Sequence, residues 1–212
     1  LWALGIGSDD IRGRQQFADR FLSRRQPSRA AQQQTLERAD TGSARLSFQA
    51  EAGVRLSGSG WSVESALGGA QGGSYVVWRG ADKFRVSDGD PPAGILAYDF
   101  VVTDPGIHQF TARTQARVGN GDAAGDKDND AWVKFTSGSD VSGVRGQARK
   151  WTKFFTSGSD ENWKQYSNGE QYDPTFKTPI RRYLPAGTHR VLIGGRSARF
   201  AIDNVGLRLV GR

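Results

Sequence analysis

From Ala44 onward apolar and polar residues alternate with a period of two, and that period limits the fold more than any other feature of the chain. Arg45-Leu46-Ser47-Phe48-Gln49-Ala50-Glu51 reads as a strand with one buried and one solvated face. Further strands are predicted at Tyr75–Trp78, Ile95–Val102, Ile107–Arg113, Ala131–Phe135, Lys150–Phe155, His189–Ile193 and Asn204–Val210. Thr103-Asp104-Pro105-Gly106 and Leu184-Pro185-Ala186-Gly187 are turns written in turn residues. Short strands at this spacing, with no helix-period segment among them, predict an all-β sandwich over residues 46–212. Composition agrees. Glycine is high at 28 residues, and Trp 6, Tyr 5 and Phe 11 supply the aromatics that suit half-buried pleated surfaces.

Residues 1–45 have a different texture. Asp9 or Asp10 is placed to cap a helix, with Ile11, Phe17, Phe21 and Leu22 as a partial apolar stripe and Pro27 as its stop. Ser28 to Asp40 is rich in Gln, Ala and Arg and has little to bury. The segment reads as a helix plus linker ending an upstream domain; an amphipathic arm of the sandwich itself is the alternative. With no Met in the chain, it reads as a fragment or processed product.

Absence of Cys excludes disulfides, thiolate metal sites and cysteine nucleophiles. No apolar run is long enough to span a bilayer as a helix, so no membrane partner is expected. The net charge is +7, with 8 basic and 5 acidic side chains before residue 46 and 21 and 17 after it. A surplus spread in this way argues against nucleic acid, whose binders cluster it, and favours an anionic polymer or simple solubility.

Several motifs stand in an order that resembles a known family. Gln49-Ala50-Glu51-Ala52 opens the first strand, followed by Tyr75–Trp78, Pro105-Gly106-Ile107-His108 and Asn129-Asp130-Ala131-Trp132-Val133 in their places. Leu184 to His189, Gly195-Arg196-Ser197 and Phe200-Ala201-Ile202-Asp203 close the set. From Phe48 to Leu207 the chain resembles the β-sandwich carbohydrate-binding modules of family 6, family 35 and the malectin-like group, as attached to marine-type polysaccharide-degrading enzymes. The resemblance implies a jelly roll of the galactose-binding-like class, secreted or periplasmic, non-catalytic, and monomeric or tethered to a catalytic domain. It also implies a structural calcium ion held by Glu51 and Asp203 from the first and last strands. One position departs from it: an Asn that grips sugar just before the final Ile-Asp is Ala201 here.

Ligand candidates come from the residues themselves. Trp163 and Tyr166 lie among polar residues and are expected to offer aromatic faces to pyranose rings. Asp130 and Arg196 are the expected polar anchors, Arg196 because its planar fork matches carboxylate or sulfate; a strand-end salt bridge is the other reading of Arg196. Trp78 is a further sugar-binding candidate, although its strand position also suits the core. Asp126, Asp128 and Asp130 have the odd-position spacing of an EF-hand, but Ala131 replaces its glycine and Ser137 its closing glutamate, so Asp126 and Asp128 read as a solvated loop. Phe135-Thr136-Ser137-Gly138-Ser139-Asp140 recurs at Phe155–Asp160, as two strands followed by similar loops. The rival functions are an adhesive module that covers Trp163 with a partner, and a polysaccharide lyase, for which the Arg- and Tyr-rich strands are missing.

Overall fold

The computed structural model describes residues 35–38, 44–87, 89–116, 118, 127–141, 150–156, 162–170 and 177–212. The N-terminal helix reading and most of the Gly119–Asp130 loop lie outside them.

Two antiparallel sheets pack as a jelly-roll sandwich. The first runs β1 (Thr35–Arg38), β2 (Ala44–Gln49), β16 (Ala201–Gly211), β7 (Gly106–Gln115), β14 (Arg181–Leu184) and β9 (Ser139–Asp140). At one end β5 (Tyr75–Trp78) extends it beside β16, β4 (Trp61–Glu64) beside β5, and β11 (Lys164–Tyr166) beside β7. The second runs β13 (Lys177–Pro179), β12 (Asn168–Glu170), β10 (Thr152–Phe155), β8 (Asp130–Phe135), β15 (Gly187–Gly195), β6 (Ile95–Val102) and β3 (Val54–Ser57). Thr35–Arg38, inside the segment read as linker, pair with Ala44–Ser47 as a strand. Among the described residues no helix is long and apolar enough to cross a membrane.

Alternation sets the core. Leu46 and Phe48, Phe110 and Ala112, Val205 and Leu207 face inward from the first sheet, against Leu96, Tyr98, Phe100, Val133, Phe135, Val191 and Ile193 of the second. The two sheets are locked at one end by Trp78, a sugar-binding candidate whose strand position also suited the core, and which is 1% exposed. Its indole lies against four glycines. A Cβ on Gly60, Gly80, Gly94 or Gly195 would fall 2.5, 2.3, 2.5 or 2.3 Å from the ring, so only glycine lets the backbone come so close. Its Nε1–H donates to the Ala81 carbonyl at 3.0 Å, and Trp61 packs on it at 5.4 Å. A ring so covered offers no face to a ligand. Its burial is structural, and truncation at such a site removes about 3–5 kcal/mol.

The repeated hexapeptide does follow a strand each time, but not equivalently. β8 and β10 are antiparallel, so Phe135 and Phe155 end their strands at opposite ends of the sandwich. Phe135 is buried in the core, whereas Phe155 is half-buried with the Lys153 ammonium over its ring. Ser157 to Asp160 of the second copy lie outside the described residues.

His108 is 3% exposed on β7, its Nδ1 3.0 Å from the Gly106 carbonyl. Burial pushes its pKa below the ordinary value, against the pull of that carbonyl. The folded chain therefore holds His108 neutral while the unfolded chain protonates near pH 6.5, so stability present above that pH is lost as pH falls through it. Thermal unfolding between pH 8 and 5 should show the loss, and His108→Asn, which keeps a donor for Gly106, should flatten the slope. An unchanged slope would remove His108 as its source.

Candidate functional site

The end of the first sheet where β5, β16, β7 and β11 meet carries the densest set of polar and aromatic groups. The glycine-rich loop Gly68–Gly73 folds over it. Trp163, just before β11, is half-buried. Its Nε1–H donates to the Gly68 carbonyl at 3.1 Å, its ring meets Tyr75 edge-on at 5.3 Å, and the Arg113 guanidinium stands 5.5 Å from its centroid. Tyr75, Val77, Ala201 and Val118 form the small apolar bed under it. Ala201, in the place of the expected Asn, is fully buried in that bed and offers no hydrogen bond to a sugar.

Trp163 and Tyr166 do not make one platform. Tyr166 pairs with Ala112, an inward residue, and packs on the core. Trp163 packs on the small cluster of Tyr75, Val77 and Ala201, apart from that core. Three residues along a strand-like segment change faces, which the sequence reading of the pair overlooked.

Asp203 sits at a register shift between Ile202 and Asn204. Such a bulge re-aims a side chain that regular alternation would have placed otherwise. Fully buried, Asp203 accepts from the Gln71 N–H at 2.9 Å and from Arg113, which also donates to the Gly69 carbonyl at 3.0 Å. Glu51 lies in a 3-10 turn after β2, and its Oε1 accepts from the Ser74 hydroxyl. Its Oε2 is buried without a donor, as is Oε1 of Gln49. Gly72 lies against the Gln49 amide, so one loop, residues 71–74, touches Asp203, Gln49 and Glu51 in turn.

Calcium takes six to eight oxygen ligands. Two buried oxygens without donors, on Gln49 and Glu51, fit such an ion. The Asp203 carboxylate fits less well, since Arg113 already balances its charge. Among the described residues no three acidic or histidine side chains form a metal cluster.

The expected sugar anchors Asp130 and Arg196 are consumed by each other. Asp130 is fully buried and accepts from Arg196 and from the Ser197 hydroxyl, with Lys153 Nζ at 3.8 Å. Burial pushes its carboxyl above the ordinary value, and Arg196, Ser197 and Lys153 pull it back. The Arg196 guanidinium is stacked between Phe84 and Trp132, 5.1 Å from each ring, so its fork faces no solvent-borne anion. Asp128, read as solvated, is 3% exposed and ion-paired with Arg199 at 2.9 Å; Asp126 lies outside the described residues. Arg113, Tyr75, Gln49 and the Gly68–Gly73 loop were missed in the sequence. The outward period of Ile107–Arg113 was the signal for Arg113, and the motifs at Gln49–Ala52 and Tyr75–Trp78 held Gln49 and Tyr75 without marking them as site residues.

With this geometry in view, the chain was compared with known proteins. It is similar in fold to a Podospora anserina β-(1,4)-mannanase carrying a family 35 carbohydrate-binding module: TM-score 0.51, 14% identity, 79% of this chain and 28% of that one. Other matches include carbohydrate-binding modules of families 35 and 6. These are a family 35 module from Clostridium thermocellum (TM-score 0.46, 13% identity, 77% of this chain and 96% of that one) and the C-terminal family 6 module of a marine laminarinase from Zobellia galactanivorans (0.43, 11%, 77% and 98%). No family model matches, and no curated protein does. At these identities the likeness is one of fold, and the chain spans just over a quarter of the mannanase.

Removing one member of a buried ion pair leaves the other uncompensated, at about 3–5 kcal/mol. Arg196→Met should cost that much in denaturant titration, and Asp130→Asn combined with it should recover part. A loss under ~1 kcal/mol, as for a surface pair, would mean that Asp130 is solvated after all.

Proposed function

We propose that this chain binds a polysaccharide without transforming it and directs an attached carbohydrate-active enzyme to that polymer, outside the cell or in the periplasm. The observation that carries the reading is the Trp163 indole. It is half-exposed yet held on two sides, by its bond to Gly68 and its edge contact with Tyr75. An aromatic fixed before the ligand arrives loses little freedom on binding and gives sugar C–H groups a flat partner. Arg113 lies beside it, its guanidinium held by Asp203 and the Gly69 carbonyl. The spread surplus of positive charge favours an anionic polymer. Catalysis finds little support: His108 and His189 are 3% and 6% exposed, and His189 is held by Ser137 at 2.7 Å and the Pro185 carbonyl at 2.8 Å.

In gels containing alginate, carrageenan, xylan, pectin or galactomannan, migration should be retarded by at least one polymer and restored by Trp163→Ala. Retardation by none would sink polysaccharide binding. Retardation unchanged in the variant would move the site elsewhere.

Calcium belongs to the same reading as a structural ion, held by Glu51 and Gln49, with Asp203 joining only by giving up Arg113. Its role is to neutralise buried oxygens and fasten the 71–74 loop. A ligand at 100 times its Kd stabilises by about 2.7 kcal/mol, so adding calcium to chelator-treated protein should raise Tm by several degrees. Glu51→Gln should abolish the shift. Equal Tm with calcium and with chelator would refute the ion while leaving sugar binding untouched.

A further inference from the structure

The outward face of the first sheet presents a second aromatic ring, far from Trp163 yet in line with it. β7 is paired with β16 along nearly its whole length, from Ile107 to Gln115. β11 and β14 therefore share its other flank, β11 at Ala112–Thr114 and β14 at Gly106–Gln109. Gln165 of β11 stands opposite Arg113, and Arg181 and Tyr183 of β14 stand opposite Gln109 and Ile107. Trp163, two residues before Gln165, shares its face, and one step beyond the Lys164–Thr114 pair it comes opposite Gln115. On β14 the buried Arg182 and Leu184 point into the sandwich, which turns Arg181 and Tyr183 outward.

Trp163, Gln165, Arg181 and Tyr183 thus follow β7 in one column, with an aromatic ring at each end. The positions opposite the two rings, Gln115 and Ile107, are eight residues apart, which is about 27 Å at ~3.4 Å per residue. A hydrogen-bonded central strand holds that spacing fixed.

Tyr183 is 43% exposed although its strand is paired on both sides, with Ile107 of β7 and Ser139 of β9. Its backbone is locked while its ring stands in solvent. Among the described residues its hydroxyl has no hydrogen-bond partner. A tyrosine so placed offers apolar faces and a polar tip, and its two rotatable bonds lose little freedom on binding. Between the rings the column is polar. Gln165 is exposed and accepts from Arg45 at 3.4 Å, and Arg181 is exposed and oriented by its bond to Gln109 at 3.1 Å. Stacked nucleobases need rings in succession, and no ring stands between these two in the column. Sugar units suit the pattern better, with C–H faces on the two rings and hydroxyls along the amide and guanidinium between them.

Two weak contacts made by one ligand reinforce each other. The second becomes intramolecular once the first is made, and affinity rises by roughly 10²–10⁴ provided the ligand spans both.

We propose that Tyr183 is a second aromatic platform, and that one polysaccharide chain lies along β7 from Trp163 to Tyr183, over Gln165 and Arg181. The assignment rests on the reading of Trp163 as a sugar platform, and it makes that site selective for chain length. Long chains bridge both rings; short ones bind weakly at Trp163 alone.

Titration calorimetry with the di- and octasaccharides of mannan, xylan, polygalacturonate and alginate tests it. The octasaccharide of the preferred polymer should bind more than tenfold tighter than its disaccharide. Tyr183→Ala should erase that gain and leave both disaccharide binding and Tm unchanged, whereas Tyr183→Phe should keep most of the gain. Trp163→Ala should abolish disaccharide binding. An octasaccharide no tighter than the disaccharide, or a gain that survives Tyr183→Ala, would overturn the second platform and leave Trp163 in place. A disaccharide weakened by Tyr183→Ala would overturn it too, since the ring would then act through the fold. Binding of none of these sugars would refute both platforms. Sedimentation showing a dimer that Tyr183→Ala dissolves would make a second copy of this chain the occupant of the ring, and would overturn the proposal.

Discussion

The sandwich depends on the contact between the Trp78 indole and the glycines around it. β5 belongs to the first sheet and Gly195 to β15 of the second, yet the ring lies so close to that glycine that no methyl group fits between them. Trp61 lies on the same ring and donates to the Gly94 carbonyl at 3.3 Å. The two sheets are therefore registered at one end by a large rigid side chain that can be packed in few ways. The same contact fixes the approach of the loops around Gly60, Gly80 and Gly94. β5 in turn carries Tyr75 on the far side of the strand, and Tyr75 is what Trp163 leans on. The exposed indole is held in place by the buried one, four links away.

Charge is treated differently at different places on the molecule. At Asp130, Asp203, Asp99 and Asp128 each carboxylate meets an arginine: Arg196, Arg113, Arg190 and Arg199. Two of those carboxylates are fully buried, where an unmatched charge would not be tolerated. On the outward face of the first sheet Glu37 of β1 stands opposite Arg45 in register, and Arg181 donates to the Gln109 side chain at 3.1 Å.

The fold was legible because alternation is a local property. Eight predicted strands correspond to strands of the sandwich, and both predicted turns join strands at the expected places. Strands β1, β3, β4, β9 and β11–β14 were not read, being four residues or fewer and too short to show a period. The sites were less legible because they depend on who stands opposite. Asp130 and Arg196 were read as separate polar anchors, and the sequence does not say that they face each other 66 positions apart. Trp163 and Tyr166 were read as neighbours from proximity in sequence, and the strand placed them on opposite sides. The juxtaposition of Glu51, Gln49 and Asp203 around one loop is equally invisible in one dimension, because that loop, residues 71–74, comes from a distant part of the chain.

Arg113 ties these places together. Its guanidinium binds Asp203, donates to the Gly69 carbonyl and lies over Trp163, while its Cα is paired with Asn204 of β16 and Gln165 of β11. One cation cannot satisfy Asp203 and a new anion equally. If calcium draws the Asp203 carboxylate toward Glu51, Arg113 loses its strongest partner and becomes available to a sugar resting on the indole. The proposed ion and the proposed polysaccharide are therefore expected to favour each other, with Arg113 between them.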